Sequence, residues 1–142
     1  MCSLFSCRSS PEEARNLFNY SELPNFPPRE HVHPTEPIAI VRAAHDGAAE
    51  FALVRWGFVP SWAKELRSQP LINARAETVY EKASFKNAIR RRRCLIPADG
   101  FYAWPDVGGP RKQAWFLPKP DHILFAFGGI WEHWMAPDGS EL

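Results

Sequence analysis

The apolar residues of this chain fall mainly into short runs of β type that are separated by turn residues. Two such runs, 36–43 and 50–56, flank His45-Asp46-Gly47, and this arrangement predicts a hairpin of antiparallel strands. In the second half of the chain, further runs separated by turns cover 94–97, 101–104, 113–117 and 122–134. The pattern therefore predicts a sheet that is largely antiparallel.

Two stretches carry helical signals instead. Ser10-Pro11-Glu12-Glu13 is typical of a capped helix start, and a short helix is predicted to run from there to about Tyr20. A second helix is predicted from about Glu81 to Arg91, where apolar residues recur at positions i and i+4. The chain is thus expected to have a few short helices beside its strands.

Two segments fit neither regular element. Leu23 to Pro37 contains five prolines together with His31 and His33, and it is predicted to be a long loop of the kind that often carries function. Residues 136–140 form a strong turn signal after which only two residues follow, so no strand is expected to return from it. We therefore expect residues 1–142 to form a single domain that is truncated at the C-terminus.

The composition bounds the possible functions. The chain has 142 residues, 45% of them hydrophobic, which suits one domain, and no apolar run approaches the length of a membrane span. Its three cysteines, Cys2, Cys7 and Cys94, suit a reducing compartment, so we expect an intracellular protein without disulfides. The net charge is only +1, so any affinity for nucleic acid would have to come from a local patch.

The most reactive candidate is Cys2, which becomes the N-terminal residue once Met1 is removed. The α-amine of such a residue has a pKa of about 7.7–8 and its thiol about 8.5, so both are partly nucleophilic near neutral pH. The amine can condense with an aldehyde to an imine, and the thiol can then close a thiazolidine ring on the same carbon. The natural target is an aldehyde, although a cysteine here is also consistent with chance in a frayed terminus.

Six stretches together carry a family pattern. They are Met1-Cys2 followed by Phe5, His31-Val32-His33-Pro34, Trp56-Gly57-Phe58-Val59-Pro60-Ser61-Trp62-Ala63, Asn73-Ala74-Arg75-Ala76-Glu77-Thr78, Arg93 to Trp104, and Gly129-Ile130-Trp131-Glu132. In order and spacing they resemble the SOS-response-associated peptidase (SRAP) family over nearly the whole chain. The resemblance implies an α+β fold built on a curved, largely antiparallel sheet. It also implies that the protein recognises abasic sites in single-stranded DNA and crosslinks to them through its N-terminal cysteine.

Carried over position by position, the resemblance assigns roles to five residues. Cys2 would be the nucleophile, and Asn73 would hydrogen-bond within the pocket and position the reacting sugar or the cysteine amine. Arg75 would bind backbone phosphate. Trp62 would stack against a base beside the lesion, which is worth about 1–3 kcal/mol, and Pro34 would form part of the wall against which the DNA turns.

The chain departs from the family pattern in its chemistry. Ala103 stands where the family has a glutamate that is thought to shuttle protons, and the family's catalytic histidine lies further along than Leu142. Leu4 replaces a DNA-contacting arginine, while His31 and His33 replace asparagine and alanine. It stays open whether the chain is an active crosslinking or lyase-type protein with self-processing peptidase activity, or a non-catalytic remnant that only binds single-stranded DNA.

Other candidate residues have plainer interpretations. Arg90 to Arg93 are interpreted as a solvated helix end in preference to a DNA contact. Cys94 is expected to be buried. Tryptophans in strand-like runs are expected to fill the core, and these are Trp56, Trp104, Trp115, Trp131 and Trp134.

No metal or cofactor is expected, because His31 and His33 with Cys2 and Cys7 lack the paired spacing of structural zinc sites. The expected partner is single-stranded DNA that carries abasic sites, and no membrane association is predicted. We expect a monomer located in the cytoplasm, associated with the nucleoid in a bacterium, or in the nucleus of a eukaryote.

Overall fold

The computed structural model describes residues 2–104, 115–118 and 124–142. Within these ranges, eight strands form two four-stranded antiparallel sheets, and two short helices accompany them. The elements in chain order are β1 (Phe5–Cys7), α1 (Pro11–Phe18), β2 (Arg29–Val32), β3 (Pro37–Ala43), β4 (Ala49–Arg55), α2 (Lys86–Arg91), β5 (Arg93–Ala98), β6 (Gly100–Ala103), β7 (Trp115–Pro118) and β8 (Phe125–Ile130). The prediction of an α+β fold with largely antiparallel strands is confirmed.

The strands are divided between two sheets. The first sheet has the order β2-β1-β6-β7, and the second sheet has the order β4-β3-β5-β8. Because β5 ends at Ala98 and β6 begins at Gly100, the chain crosses from the second sheet to the first at Asp99. Strands that switch sheets in this way form the corners of packed β-structures. The corner at Asp99 is therefore a covalent junction of the two sheets that is only one residue long.

The carboxylate of Asp99 is buried at this corner and binds the segment that includes the end of β1. Ser6 Oγ donates a hydrogen bond to Oδ1 at 2.6 Å, and the backbone N–H groups of Arg8 and Ser9 donate to Oδ2 at 2.5 and 3.0 Å. Arg8 Nε also lies 3.8 Å from Oδ1. A buried carboxylate requires such partners. The corner thus determines how the chain leaves β1 and enters α1.

The main core lies between the two sheets. Phe5 and Val32 from the first sheet pack there against residues of the second sheet, among them Ile40. The Phe5 ring centroid lies 5.3 Å from that of Trp56 and 5.7 Å from that of Phe127. On the opposite face of the second sheet, a smaller cluster brings α1 against the sheet, and it contains Ala14, Tyr20, Val41 and Leu124. Burial on both faces makes the second sheet the centre of the molecule.

The two helices differ in how well the sequence predicted them. In α1, Ser10 Oγ accepts a hydrogen bond from Glu13 N–H at 3.2 Å, and Asn19 ends the helix in a left-handed conformation with φ of 58°. The prediction of a capped helix is confirmed. The second helix begins at Lys86 rather than near residue 81, because no side chain caps it and the preceding residues form separate turns. Among the described residues, neither helix is long and apolar enough to cross a membrane.

Two strands occur where none was predicted. β2 lies inside the proline-rich segment that was predicted to be a loop, and it fits because Pro28 and Pro34 flank it rather than interrupt it. Its Val32 side chain is in the main core. β1 has only three residues and pairs with β2 on one side and β6 on the other. Both strands depend on partners that are distant in sequence.

The β3–β4 hairpin is confirmed, with Ala43 paired to Ala49 next to the turn. The expectation that nothing returns from the last turn is wrong. Trp134 and Leu142 exchange two backbone hydrogen bonds of 2.9 Å, so the final residues close a small hairpin. The predicted strands over 113–117 and 122–134 correspond to β7 and β8, and their predicted first residues, 113–114 and 122–123, lie outside the described residues.

Replacing Asp99 with alanine should lower the free energy of unfolding by about 3 kcal/mol, because it leaves several buried donors without an acceptor. Urea denaturation of the variant and the parent at one pH measures this difference. The matched control is Asp138→Ala, since Asp138 also accepts hydrogen bonds from a backbone N–H and a hydroxyl, both of Ser140, but in an exposed turn. The control should leave the unfolding midpoint nearly unchanged. Equal effects of the two changes would contradict the importance of the corner.

Candidate functional site

The N-terminal segment lies against a large cleft. Cys2 is half-buried and packs on the core cluster that contains Phe5, three residues further along the same segment. It also lines the cleft, whose volume is about 1090 Å³. β1 therefore delivers the first residues of the chain to the edge of the space between the second sheet and the segments that follow β4.

The walls of this cleft are mostly apolar. Sheet residues such as Ile38, Ile96 and Phe127 form one side, while Leu71 and Phe85 belong to the segments on the other side. Apart from cysteine thiols and tryptophan indoles, the charged or polar side chains of the described lining are those of Thr35, Arg55, Asn73, Arg93 and Glu132. A polar contact inside such a cleft is shielded from water and is stronger for that reason.

Asn73 makes direct contact with Cys2. Its Nδ2 donates a hydrogen bond to the carbonyl oxygen of Cys2 at 2.7 Å. The backbone before Asn73 is held by two further hydrogen bonds, from Phe58 N–H to the Leu71 carbonyl at 2.8 Å and from Trp56 Nε1 to the Ile72 carbonyl at 3.0 Å. Because Trp56 belongs to the main core, Asn73 is positioned by that core.

The surroundings of the Cys2 thiol favour its neutral form. Burial raises the pKa of this thiol above its usual value. Its Sγ donates a hydrogen bond to the Leu4 carbonyl at 3.4 Å. A protonated thiol is a weaker nucleophile than a thiolate.

The other two cysteines have no comparable surroundings. Burial raises the pKa of the Cys7 thiol and of the Cys94 thiol to about 12. Cys94 is buried in the core, as the sequence predicted. Thiols with such a pKa are almost entirely protonated near neutral pH and are inert as nucleophiles. Of the three cysteines, Cys2 alone combines partial exposure with a place in the cleft.

Position 103 lies beside the N-terminus. Phe5 pairs with Phe101 in the antiparallel register of β1 and β6, and Tyr102 N–H donates to the Leu4 carbonyl at 3.0 Å. Continued beyond its described pairs, this register would set Ala103 opposite Ser3, which precedes β1. Since alternate residues of a strand share a face, Ala103 is on the core-facing side with Phe101. The alanine methyl group at this place can neither donate nor accept a proton.

The remaining predicted site residues lie outside the described lining of the cleft. Arg75 is exposed and follows Asn73 by two residues. Trp62 is 62% exposed in a loop that is tied down where Trp134 Nε1 donates to the Ala63 carbonyl at 2.7 Å. Pro34 is half-buried in a turn whose next residue, Thr35, has φ of 71° and does line the cleft. Thus the structure brings Cys2 and Asn73 together, whereas Arg75, Trp62 and Pro34 are not part of the described lining of the cleft.

The prediction that strand tryptophans fill the core is only partly right. Trp56 and Trp134 are buried, and Trp131 is half-buried with the Arg42 guanidinium carbon 4.3 Å from its ring centroid. Trp104 is 37% exposed and Trp115 is 53% exposed, so for these two the prediction is wrong. By the alternation of β6, Trp104 shares the face of Tyr102 and not that of Phe101, which packs in the main core. Trp104 is adjacent in sequence to Ala103, and the interpretation of Trp104 as a core residue did not take that neighbour into account.

The arginine run does not act as one unit. Arg92 is half-buried and its Nη2 lies 2.9 Å from Glu132 Oε2, whereas Arg90, Arg91 and Arg93 are exposed. This division agrees with a helix end whose side chains point in different directions. In the part of the chain that the structure describes, no group of three or more His, Cys, Asp or Glu side chains is arranged to hold a metal ion.

The chain matches the family model described as SOS response associated peptidase (SRAP) over residues 1–142. It is 35% identical over 148 aligned positions to the abasic site processing protein YoqW of Bacillus subtilis, covering 100% of this chain and 65% of that protein. It is also 32% identical over 111 positions to the chicken abasic site processing protein HMCES, covering 62% of this chain and 33% of that protein. The chain therefore spans just under two thirds of the length of its bacterial relative.

Solved structures support the same fold. A crystal structure of a protein from Bacteroides thetaiotaomicron is similar with a TM-score of 0.84 and 23% identity, covering 99% of this chain and 64% of that one. A crystal structure of a protein from Bordetella bronchiseptica is similar with a TM-score of 0.80 and 24% identity, covering 99% of this chain and 68% of that one. At these identities the likeness concerns the fold. The family match over the whole chain and the identity to its relatives show that this chain belongs to the SRAP family.

Proposed function

We propose that this protein is a sensor of abasic sites in single-stranded DNA that crosslinks to them through Cys2 after Met1 is removed. The observation that supports it most is the hydrogen bond between Asn73 Nδ2 and the Cys2 carbonyl inside the cleft. It joins the reactive residue to a neutral amide that could orient it without titrating. The names of the relatives, abasic site processing proteins, point to the same substrate.

The proposed chemistry begins at the Cys2 amine. Its nitrogen attacks the aldehyde carbon of the ring-opened abasic sugar, and loss of one water gives an imine. Cys2 Sγ then forms a bond to the same carbon, while the thiol proton passes to the imine nitrogen, which completes a five-membered thiazolidine. The raised pKa of the thiol fits this order, because the amine acts first and the thiol needs only to close onto an activated carbon.

Surface residues around the cleft could bind the DNA strand. Arg75 offers a guanidinium for phosphate, and Trp62 and Trp104 expose rings on which bases could stack. Pro34 lies in the turn beside Thr35, which lines the cleft, and could form part of the wall. Single-stranded DNA is the proposed form, since the bases beside the lesion must be free to stack. The protein is proposed to act as a monomer in the cytoplasm or nucleus.

Ala103 limits the proposed activity. Continued beyond its described pairs, the register of β1 and β6 would set this position opposite Ser3, where an acidic side chain could exchange protons with the amine of residue 2 or with the leaving water. Alanine leaves that transfer to solvent, so we propose that crosslinking is slow. The second candidate function follows from the same observation: a protein that binds single-stranded DNA through the same surface and forms no covalent product.

Protein from which Met1 has been removed, as shown by its intact mass, is expected to form a covalent product with single-stranded DNA that contains one abasic site. The product should survive a denaturing gel and have the mass of the two components less one water. Cys2→Ala should form no stable product, and neither should DNA with a tetrahydrofuran analogue that has no aldehyde. If the parent gives no shifted band, crosslinking is excluded and the binding-only function is favoured.

Asn73→Ala should slow crosslinking by about fivefold, the equivalent of one ordinary hydrogen bond, because Cys2 loses its positioning partner. The rate is measured from the time course of product on the same gels. Asn87→Ala is the matched control, since Asn87 is an exposed asparagine on α2. A rate for Asn73→Ala that equals the control's would show that the contact has no role in the reaction.

Ala103→Glu should accelerate crosslinking by about 10²–10⁴-fold if the new carboxyl group acts as a general acid and base. Ala103→Gln has nearly the same shape without an ionisable group, and it should leave the rate close to that of the parent. The comparison of the two variants separates proton transfer from packing. Equal rates for glutamate and glutamine would show that position 103 does not take part in proton transfer.

A further inference from the structure

The cleft beside Cys2 is larger and more apolar than crosslinking to an abasic site requires. Its volume of about 1090 Å³ is at the upper end of the range for small-molecule sites, which is roughly 300–1000 Å³. Crosslinking engages residue 2 and Asn73, and the phosphates of a DNA strand would lose their hydration against apolar walls without compensation. The apolar interior of the cleft therefore has no part in the function proposed above.

The apolar lining begins at Cys2 itself. Cys2 packs against the main core cluster, and Phe5 and Ile38 of that cluster also line the cleft. Phe85 and Ile89, which are half-buried, contribute apolar side chains from the segments that follow β4. An apolar space of this extent that is open to water is typical of a binding site. A ligand held here would lie directly beside the reactive residue.

Several polar groups of the lining are engaged with the protein itself. Glu132, the acidic residue of the described lining, accepts hydrogen bonds from Arg92 Nη2 at 2.9 Å and from His133 N–H at 3.0 Å. Arg55 Nη1 donates to the Gly57 carbonyl at 3.4 Å. A polar ligand would have to give up its hydration for such partly used groups, whereas an alkyl chain gains from leaving water. The lining therefore favours an uncharged, apolar ligand.

Cys2 specifies the reactive end of such a ligand. Asn73 Nδ2 is hydrogen-bonded to the carbonyl of Cys2 at 2.7 Å. After removal of Met1, the amine and the thiol are therefore the groups of this residue that remain for an incoming carbonyl carbon. An amine and a thiol on adjacent carbons convert an aldehyde to a stable five-membered ring. The ligand that fits both the lining and the reactive residue is an apolar aldehyde.

We propose that the cleft gives Cys2 a second class of substrate, free medium-chain aliphatic aldehydes, which the protein captures as thiazolidines. This inference rests on the proposed function for the chemistry of Cys2, but it requires no DNA. The alkyl chain lies along the apolar lining, and the carbonyl carbon lies at residue 2. Capture of such an aldehyde blocks the same amine and thiol that react with an abasic site.

The reaction balances without an oxidant, a reductant or a further reactant. The Cys2 nitrogen forms a bond to the aldehyde carbon, and the carbonyl oxygen leaves as one water with both protons of the neutral amine, which gives an imine. Cys2 Sγ then forms a bond to the same carbon, and the thiol proton passes to the nitrogen. The protein gains the mass of the aldehyde less one water and loses one free thiol.

The test compares the rates at which heptanal and propanal modify the protein after removal of Met1, followed by intact mass. These aldehydes have the same reacting group, and heptanal is longer by several methylene groups. The reference is a synthetic peptide of residues 2–6, which has the same N-terminus without the cleft. Burial of one methylene group favours binding by about fourfold. The ratio of the heptanal rate to the propanal rate should therefore be at least about tenfold higher for the protein than for the peptide.

Phe85→Asn and Ile89→Asn should each lower this ratio by about fourfold or more, because a polar side chain replaces part of the apolar lining. Asparagine suits the N-cap position that Phe85 occupies, and Ile89→Asn gives a second reading if Phe85→Asn fails to fold in a urea denaturation check. The matched control is Phe18→Asn, at a half-buried phenylalanine on α1 outside the described lining, and it should keep the ratio of the parent. Cys2→Ala should form no adduct that persists after denaturation.

The outcomes separate this inference from the proposed function. A ratio for the protein that equals the ratio for the peptide would overturn the capture of apolar aldehydes, and so would folded lining variants that keep the ratio of the parent. Crosslinking of the same preparation to abasic DNA would then retain the proposed function. A raised ratio that depends on Phe85 and Ile89 would support the inference even if the DNA forms no crosslink.

Discussion

The buried carboxylate of Asp99 is the interaction on which the architecture depends. It sits where the chain turns from the second sheet to the first, and it binds amides and a hydroxyl of the segment that runs from β1 to α1. A strand of three residues has too few hydrogen bonds to hold its own position. The corner therefore determines the place of β1, and β1 determines where Cys2 meets the cleft.

The candidate site is a small polar contact within an apolar space. Asn73 reaches the Cys2 carbonyl because Trp56 and Phe58 hold the backbone just before it. The same surroundings that position Cys2 also withdraw its thiol from water and raise its pKa. The burial that positions Cys2 thus lowers the nucleophilicity of its thiol. A nearby proton acceptor would be the ordinary means of restoring that nucleophilicity.

Local signals in the sequence predicted local structure well. The cap of α1 and the β3–β4 hairpin are specified by a few consecutive residues, and both are present as predicted. β1 and β2 were not predicted, because their stability comes from pairing with distant strands and leaves little trace in a short segment. The candidate site was named through a family resemblance, and the contact of Cys2 with Asn73 across 71 positions could not be derived from spacing. Trp104 was misjudged because the alternation of β6 places it on the face opposite to that of Phe101, which packs in the core.

Gly100 links the corner of the sheets to their outer surface. A Cβ atom at this position would lie 2.4 Å from Phe116 Cζ and 3.2 Å from Ser6 Oγ, so no other residue fits without displacing one of them. Displacing Phe116 would also move Arg8, whose guanidinium lies over that ring and whose amide binds Asp99. Asp99 and Gly100 are therefore expected to vary together or not at all. Gly100 would therefore limit how this surface can change among related sequences, although Gly100 contributes no side chain to the surface.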